Sequence, residues 1–397
     1  MKKTLLSVFA ICLVVLFSCS GEKTTDKVVD GALTFSAAQY KLMTAVMKDM
    51  QNRLPRTTKN DSLITSDSRW WTSGFYPGSL WYLYEYTNDP AVKDAAIMMT
   101  DRVEREKYTT NNHDVGFMIG CSFGNRLRLT NDEKCKEVMI TAAKSLSTRF
   151  RPNIGLIQSW GSRKGWQCPV IIDNMMNLEL LMEVFHMTGD SSFYKIATSH
   201  ADTTMKYHYR PDYSSFHVVS FDTASAKVEA KQTAQGYSDE SAWSRGQSWG
   251  LYGYTMMYRE TKQDRYLQHA QHIADFLISH PNLPEDKIPY WDYNAPDIPN
   301  AKRDASAGAI MASALVELSG YVSPEKGKQY LDVAEKQLRS LSSPAYMADK
   351  GKNGNFILMH SVGSIPGKSE VDVPLTYADY YFIEALMRLR GVPKDKG

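Results

Sequence analysis

Residues 171–206 read IIDNMMNLELLMEVFHMTGDSSFYKIATSHADTTMK. Apolar residues recur with a helical period over 171–187 and again over 191–206. Thr188-Gly189-Asp190 lies between them, a helix stop followed at once by a helix start. The stretch therefore predicts one helical hairpin. Outward from it, the same period appears near 36–54, 77–88, 91–107, 115–128 and 132–149. It continues near 241–259, 263–279, 305–319, 324–342 and 375–390. Asn88-Asp89-Pro90, Thr130-Asn131-Asp132 and Gly320 supply further stops. About twelve helices in up-down alternation predict an all-α fold, six hairpins closed into an (α/α)6 barrel.

The period breaks between 208 and 240. There His217 to Phe221 reads as a strand that returns from Lys227 to Thr233, a small β-hairpin beside the site. The stretches 150–170, 281–302 and 344–374 are long loops rich in Gly, Pro, Ser, Trp and Tyr. Long loops on a helical scaffold carry function more often than structure. No linker composition divides the chain after residue 35, so 36–397 is expected to be a single catalytic domain.

The N-terminus reads as a targeting segment. Lys2 and Lys3 are followed by an apolar run, Leu5 to Phe17, too short to span a bilayer. Leu16-Phe17-Ser18-Cys19 resembles a bacterial lipobox, the alternative being a plain secretory signal. The expectation is a lipoprotein signal peptide over 1–18, a lipid anchor on Cys19 and a flexible tether over 19–35. That puts the protein in the bacterial periplasm or at the outer membrane, touching membrane only through the anchor.

The 397 residues are 43% hydrophobic and 23% charged, the balance of a globular protein. The formal charge of +2 is matched by Lys2 and Lys3, leaving a near-neutral body that argues against nucleic-acid binding. Eight tryptophans and 23 tyrosines can fill a helical core or stack on sugar rings. With Cys12 in the signal and Cys19 at the anchor, three cysteines remain: Cys121, Cys135 and Cys168. An odd number without CxxC spacing predicts buried thiols, with no disulfide framework, metal site or cofactor.

Chemistry-bearing residues cluster at loop–helix junctions. Trp70-Trp71-Thr72-Ser73-Gly74-Phe75-Tyr76-Pro77-Gly78 leads into a helix. His113-Asp114-Val115-Gly116-Phe117 and Asp173-Asn174-Met175-Met176-Asn177 each put an Asp at a helix start. An Asp in that position is usually an N-cap. Asp173, however, sits between Val170-Ile171-Ile172 and Met175-Met176, where burial raises a carboxyl pKa toward the range of a general acid. A lone His217 usually packs, and Arg245 alone is expected to pair with Glu240. In Trp243-Ser244-Arg245-Gly246-Gln247-Ser248-Trp249-Gly250, with a helix beginning near Ser241, Arg245 and Trp249 share a face. That predicts a guanidinium flanked by indoles that reads a carboxylate bidentately.

Jointly and in this order, the motifs W-x-x-G-F-x-P-G, H-D-x-G-F, D-N-x-M-N and W-x-R-G-Q-x-W-G resemble glycoside hydrolase family 88, the unsaturated glucuronyl hydrolases. Glu370-Val371-Asp372-Val373-Pro374 and Tyr377-Ala378-Asp379-Tyr380 extend the resemblance over roughly 36–392. It implies Asp173 as general acid/base and Asp114 as the second essential aspartate, with His113 beside it. It implies a substrate pocket of Trp71, His217, Gln235, Trp243, Arg245 and Trp249. Lys368 and Ser369 would meet the next sugar and any sulfate on it. The implied substrate is an oligosaccharide ending in a 4,5-unsaturated uronic acid, removed by hydration of the C4–C5 double bond. Two alternatives are an unsaturated rhamnogalacturonyl hydrolase acting on pectin fragments and a non-catalytic glycan-binding lipoprotein.

Overall fold

The computed structural model describes residues 24–163 and 165–392. In chain order the helices are α1 (Thr25–Met47), α2 (Phe75–Thr87), α3 (Pro90–Asp101), α4 (Asn125–Thr130), α5 (Glu133–Ser147) and α6 (Asn174–Thr188). They continue as α7 (Ser191–Tyr207), α8 (Ser244–Thr261), α9 (Asp264–Ser279), α10 (Ala305–Ser319), α11 (Pro324–Leu341) and α12 (Thr376–Arg390). A π-helical segment, Gly116–Gly124, runs directly into α4. Contacts close a ring through α2, the π segment with α4, α6, α8, α10 and α12, which packs back on α2. Outside it, α3, α5, α7, α9, α11 and α1 form a second layer, most of them seated between two inner helices. This is the (α/α)6 barrel.

Composition explains which ring a helix joins. Inner α10 is buried at nearly every position, and its small residues let neighbours approach. Outer α9 buries one stripe, Tyr266, His269, Ala270, Ile273, Ala274 and Leu277, at helical spacing. The first helix is also of the outer kind. It buries Val29, Ala32, Leu33, Ser36, Ala37 and Tyr40, while the outer face of its first turns carries Asp26, Lys27, Asp30 and Thr34. Residues 25–35, expected to be tether, are thus the first turns of α1, and the helix expected over 36–54 ends at Met47. Its polar outer face resembled a tether in sequence. The proposed signal over 1–18 and Cys19 lie outside the described residues.

The connections differ at the two ends of the barrel. Inner-to-outer turns are short. Asn88, Asn131 and Gly189 adopt left-handed conformations, and Asp89, Asp132 and Asp190 then cap the next helix by accepting from Ala91, Lys134 and Ser192 backbone N–H groups. That chemistry underlies the turn signal in the sequence. Outer-to-inner connections are long and carry the strands. These are the hairpins β1 (Leu54–Lys59)–β2 (Ser62–Ser66) and β3 (Phe150–Arg151)–β4 (Leu156–Ile157). The others are a sheet of β5 (Cys168–Ile171), β6 (Val218–Phe221) and β7 (Val228–Gln232), and the hairpin β8 (Ser361–Ser364)–β9 (Ser369–Val373). The expected hairpin near 217–233 is β6–β7, with β5 added antiparallel on β6 in the register Ile171 to Val218. All inner helices therefore point their N-termini toward the long-loop end.

Asp379 in α12 ties that end together. Its carboxylate accepts from the Ile357 and Leu358 N–H groups at 2.9 and 2.8 Å and from the Tyr40 hydroxyl at 3.0 Å. Asp379→Ala leaves two buried N–H donors unpaired and is expected to cost about 2–4 kcal/mol. Denaturant unfolding measures it, and a loss within error of zero would mean water replaces the carboxylate.

Candidate active site

Asp173 occupies the cap position of α6 but makes no capping bond, because its backbone is already helical (φ −54°, ψ −28°). The side chain is buried, and among the described residues Oδ2 has no hydrogen-bond partner. The pairing of β5 with β6 brings His217 to it, with His217 O accepting from Ile172 N at 3.1 Å. His217 Nδ1 accepts from the Ala234 and Gln235 N–H groups at 3.1 and 3.2 Å. The ring proton therefore sits on Nε2, which lies 3.7 Å from Asp173 Oδ2. Burial, then the charge of Arg245, keep this imidazole neutral by holding its pKa well below the ordinary value. Burial pushes the Asp173 carboxyl up to about 6, opposed by Arg245 and by the nearby Trp249 indole N–H.

Asp114 has a parallel environment. Asn177 Oδ1 accepts from Phe117 N at 2.9 Å, so its Nδ2 is the donor to His113 Nδ1 at 3.4 Å. His113 then carries its proton on Nε2, 3.6 Å from Asp114 Oδ1. Burial, then Arg149, push its pKa down to about 3, so it too is neutral. Asp114 is pushed up to about 7, by burial first and by the charge of Asp173 second, against the pull of Arg149. The Arg149 guanidinium is fixed by the Gln158 and Thr110 carbonyls, both at 2.7 Å. The charge of Asp173 thus favours keeping the proton on Asp114. Gly116 makes this possible: a Cβ there would stand 2.6 Å from the Asn177 Cα.

Arg245 departs from expectation. It does not pair with Glu240, which meets Arg210. Its guanidinium donates to the Val362 and Gly363 carbonyls and approaches Asp304 at 3.4 Å. It lies over Trp243 and Tyr377, at 4.5 and 5.3 Å, so one indole and one phenol flank it. Trp249 packs instead against Phe117 and Tyr381. With 1% exposure, Arg245 clamps the β8–β9 hairpin and is not an open carboxylate reader. Gln235 donates to the same Gly363 carbonyl at 3.0 Å. Its neighbour Trp243, the cap residue of α8, packs 4.4 Å from the His217 ring. Trp71 joins the aromatic cluster of Phe75, Phe117 and Tyr377. Lys368 and Ser369 lie at the tip of the hairpin that Arg245 holds at its base, with Lys368 exposed.

Sequence reasoning missed Arg149 and Asp304, and gave Asn177 no role beyond its place in the D-N-x-M-N motif. Isolated polar residues in helical or loop context carry no periodic signal. Among the described residues, no cluster of three or more His, Cys, Asp and Glu side chains is arranged to hold a metal ion.

Residues 42–385 match the family model of Glycosyl Hydrolase Family 88. The chain is 48% identical over 327 residues to an unsaturated glucuronyl hydrolase of Formosa agariphila, covering 82% of this chain and 81% of that one. It is 32% identical to the unsaturated glucuronyl hydrolase of Bacillus sp. GL1, covering 87% and 93%. The crystal structure of an unsaturated glucuronyl hydrolase specific for heparin superposes with a TM-score of 0.89 at 43% identity, covering 92% of this chain and 99% of that one.

Two outcomes follow from the electrostatics. Both aspartates are raised in the folded state, so their contribution to stability is full below about pH 4 and is lost as pH rises through about 6 to 7. Asp114→Asn should therefore gain stability relative to the parent as pH goes from 5 to 8, by roughly 2–4 kcal/mol. A pH-independent difference in unfolding free energy would refute the raised pKa. Arg245→Lys keeps the charge but loses the fork on two carbonyls, so both melting temperature and KM should worsen. A KM effect at unchanged melting temperature would restore the simple carboxylate-reader role.

Proposed function

The chain belongs to glycosyl hydrolase family 88, and we propose that it removes a non-reducing-end 4,5-unsaturated glucuronic acid from lyase-generated oligosaccharides. The observation that carries the reading is the pair of aspartates, Asp173 buried beside His217 and Asp114 half-buried beside His113, at the end of the barrel where the inner helices begin. The named relatives favour this over the pectin-directed alternative and over non-catalytic glycan binding.

In this reading Asp173 is the acid and Asp114 its partner. The C4–C5 double bond is a vinyl ether conjugated with a carboxylate. Asp173 protonates C4, and positive charge develops at C5 and the ring oxygen. The resulting carboxylate takes a proton from the water that adds to C5. The hemiketal opens and its collapse releases the next sugar. One carboxyl thus serves as acid and then as base, and the leaving oxygen needs no acid of its own. A carboxyl near 6 suits both halves of that cycle. Asp114 meets the sugar hydroxyls, with His113 behind it.

The neutral Nε2–H of His217 is available to a substrate oxygen, and Trp71, Gln235, Trp243 and Trp249 frame the ring. Because Arg245 is committed to backbone carbonyls, the substrate carboxylate draws its stabilisation from the positive ends of the inner helices together with that nearby charge. Lys368 and Ser369 reach toward the second sugar. The lipobox-like segment supports a lipid anchor at Cys19 and a place in the periplasm or at the outer membrane.

Three measurements test the reading. Asp173→Asn should lose turnover by at least the 10²–10⁴-fold typical of a general acid while still binding the unsaturated disaccharide. Oxygen from labelled water should appear at C5 of the uronic product, with one deuterium at C4 in heavy water. Saturated glucuronides should be inert. Label at the anomeric carbon, or efficient cleavage of a saturated glucuronide, would overturn the mechanism.

A further inference from the structure

Arg149 lies between α5 and β3, is 6% exposed and takes no part in the steps above. Burying a guanidinium is costly unless its contacts compensate. Its Nε donates to the Gln158 carbonyl and its Nη1 to the Thr110 carbonyl, both at 2.7 Å. The Gln158 N–H returns a bond to the Arg149 carbonyl at 3.0 Å, which fixes the root of the side chain. Each guanidinium bond ends on a segment that delivers an aspartate. Thr110 precedes Asp114 by four residues, in the loop that leads into the π-helical segment. Gln158 adjoins Ser159, whose N–H donates to the Pro169 carbonyl and whose Oγ accepts from Ile171 N–H, both at 3.0 Å. Pro169 and Ile171 belong to β5, which runs through Ile172 into Asp173. On the other side of Gln158, the Ile157 carbonyl accepts from Asn174 Nδ2 at 2.7 Å. One planar cation therefore braces the loop that ends at Asp114 against the strand that leads into Asp173.

The same cation acts through space. Asp114 is reached by His113 Nε2 at 3.6 Å and by the charges of Asp173 and Arg149. Burial and Asp173 favour its protonated form, and Arg149 favours the carboxylate. Arg149 also adds to the burial that keeps His113 neutral. Around the guanidinium itself, Arg151 opposes its charge, while Asp114 and the Cys168 thiol support it. Arg151 is held by Gln158 Oε1 at 3.0 Å and the Thr148 carbonyl at 3.2 Å. Asp173 has a cation of its own, Arg245. Each aspartate is thus served by one buried guanidinium, and both guanidinia are held by two backbone carbonyls. A carboxylate in contact with Arg149 would cancel its charge, whereas carbonyls hold the group and leave the charge to act on Asp114.

We infer that Arg149 is a positioning residue for the reaction, bracing the backbone segments that deliver Asp114 and Asp173 at a fixed separation and supplying the positive charge against which Asp114 works as a carboxylate. The inference rests on the function proposed above. For Asp173 to hold the proton that goes to C4, the negative charge has to rest on Asp114, and Arg149 is the cation that favours it there.

The experiment follows turnover of an unsaturated disaccharide by loss of its ultraviolet absorbance, from about pH 4 to 9. Arg149→Met removes both charge and brace, and Arg149→Lys keeps the charge but loses the fork. In Arg149→Met, the limb of the kcat/KM profile that reports Asp114 should move to higher pH by about one unit, because its proton becomes harder to remove. The value of kcat/KM should fall by about tenfold or more. In Arg149→Lys, both limbs should stay in place while kcat falls by about three- to tenfold and KM changes less, since one ammonium cannot hold both carbonyls in a plane. Melting temperatures on the same preparations give the folded fraction, so that rates are compared per folded molecule. Arg149→Gln carries the same test of charge if Arg149→Met does not fold. A merely structural Arg149 would lower the melting temperature in every variant and leave both limbs unmoved in the neutral ones, and that result would overturn the inference. Full activity of a neutral variant, or a limb displaced equally by Arg149→Lys, would overturn it as well. Turnover by the unaltered enzyme upholds the underlying function in each of those cases. Failure of the unaltered enzyme on every unsaturated disaccharide would instead remove that function and this inference with it.

Discussion

The close approach of the π-helical segment to the start of α6 is the contact on which the site depends. Gly116 meets the Asn177 backbone where any side chain would collide. Asn177 can then spend its carbonyl on the Phe117 N–H and its amide on His113. The first bond holds the irregular helix in place, and the second sets the His113 tautomer. Both aspartates are thereby drawn into one low-dielectric space. Their raised pKa values follow mainly from burial, with the charge of Asp173 adding to that of Asp114. The π-helical turn is a local departure from regular helix at a functional position, as such turns often are.

A buried cation organises the opposite wall. Arg245 bonds two carbonyls of β8, approaches Asp304 and is covered by Trp243 and Tyr377. Asp304 in turn caps α10 through Ser306 and accepts from Val362 N–H. One ion pair thus joins the start of α8, the start of α10 and the hairpin before α12. The same charge lowers the Asp173 pKa, though less than burial raises it. Removing one member of such a group leaves the other uncompensated, so structure and electrostatics here cannot be separated.

The barrel divides labour between its ends. Short turns built from a left-handed residue and a capping Asp fix the pitch of each hairpin at one end. At the other, six inner helices present their N-terminal partial charges to a space roofed by long loops and small sheets. An anionic sugar is favoured at that end before any side chain is considered. The loops are fastened to one another through small sheets and to the outer helices through single side chains such as Gln39, His200 and Gln337.

Local chemistry determined the helical hairpins, because capping Asp residues, left-handed Asn or Gly stops and apolar periods act within a few residues of themselves. It also marked both aspartates, whose apolar or motif-bearing neighbours are contiguous in the chain. The polar first turns of α1 were not legible, since an outer helix is recognised by the surface it packs on. Neither was strand β5, whose pairing partner lies about fifty residues away in sequence. The role of Arg245 was likewise decided only by tertiary structure. Its side chain faces Val362 and Gly363, 117 and 118 residues distant, and no local pattern distinguishes a guanidinium that will meet backbone carbonyls from one left open to a ligand. The proton positions on His113 and His217 depend on donors from Asn177, Ala234 and Gln235, which the fold alone brings within reach.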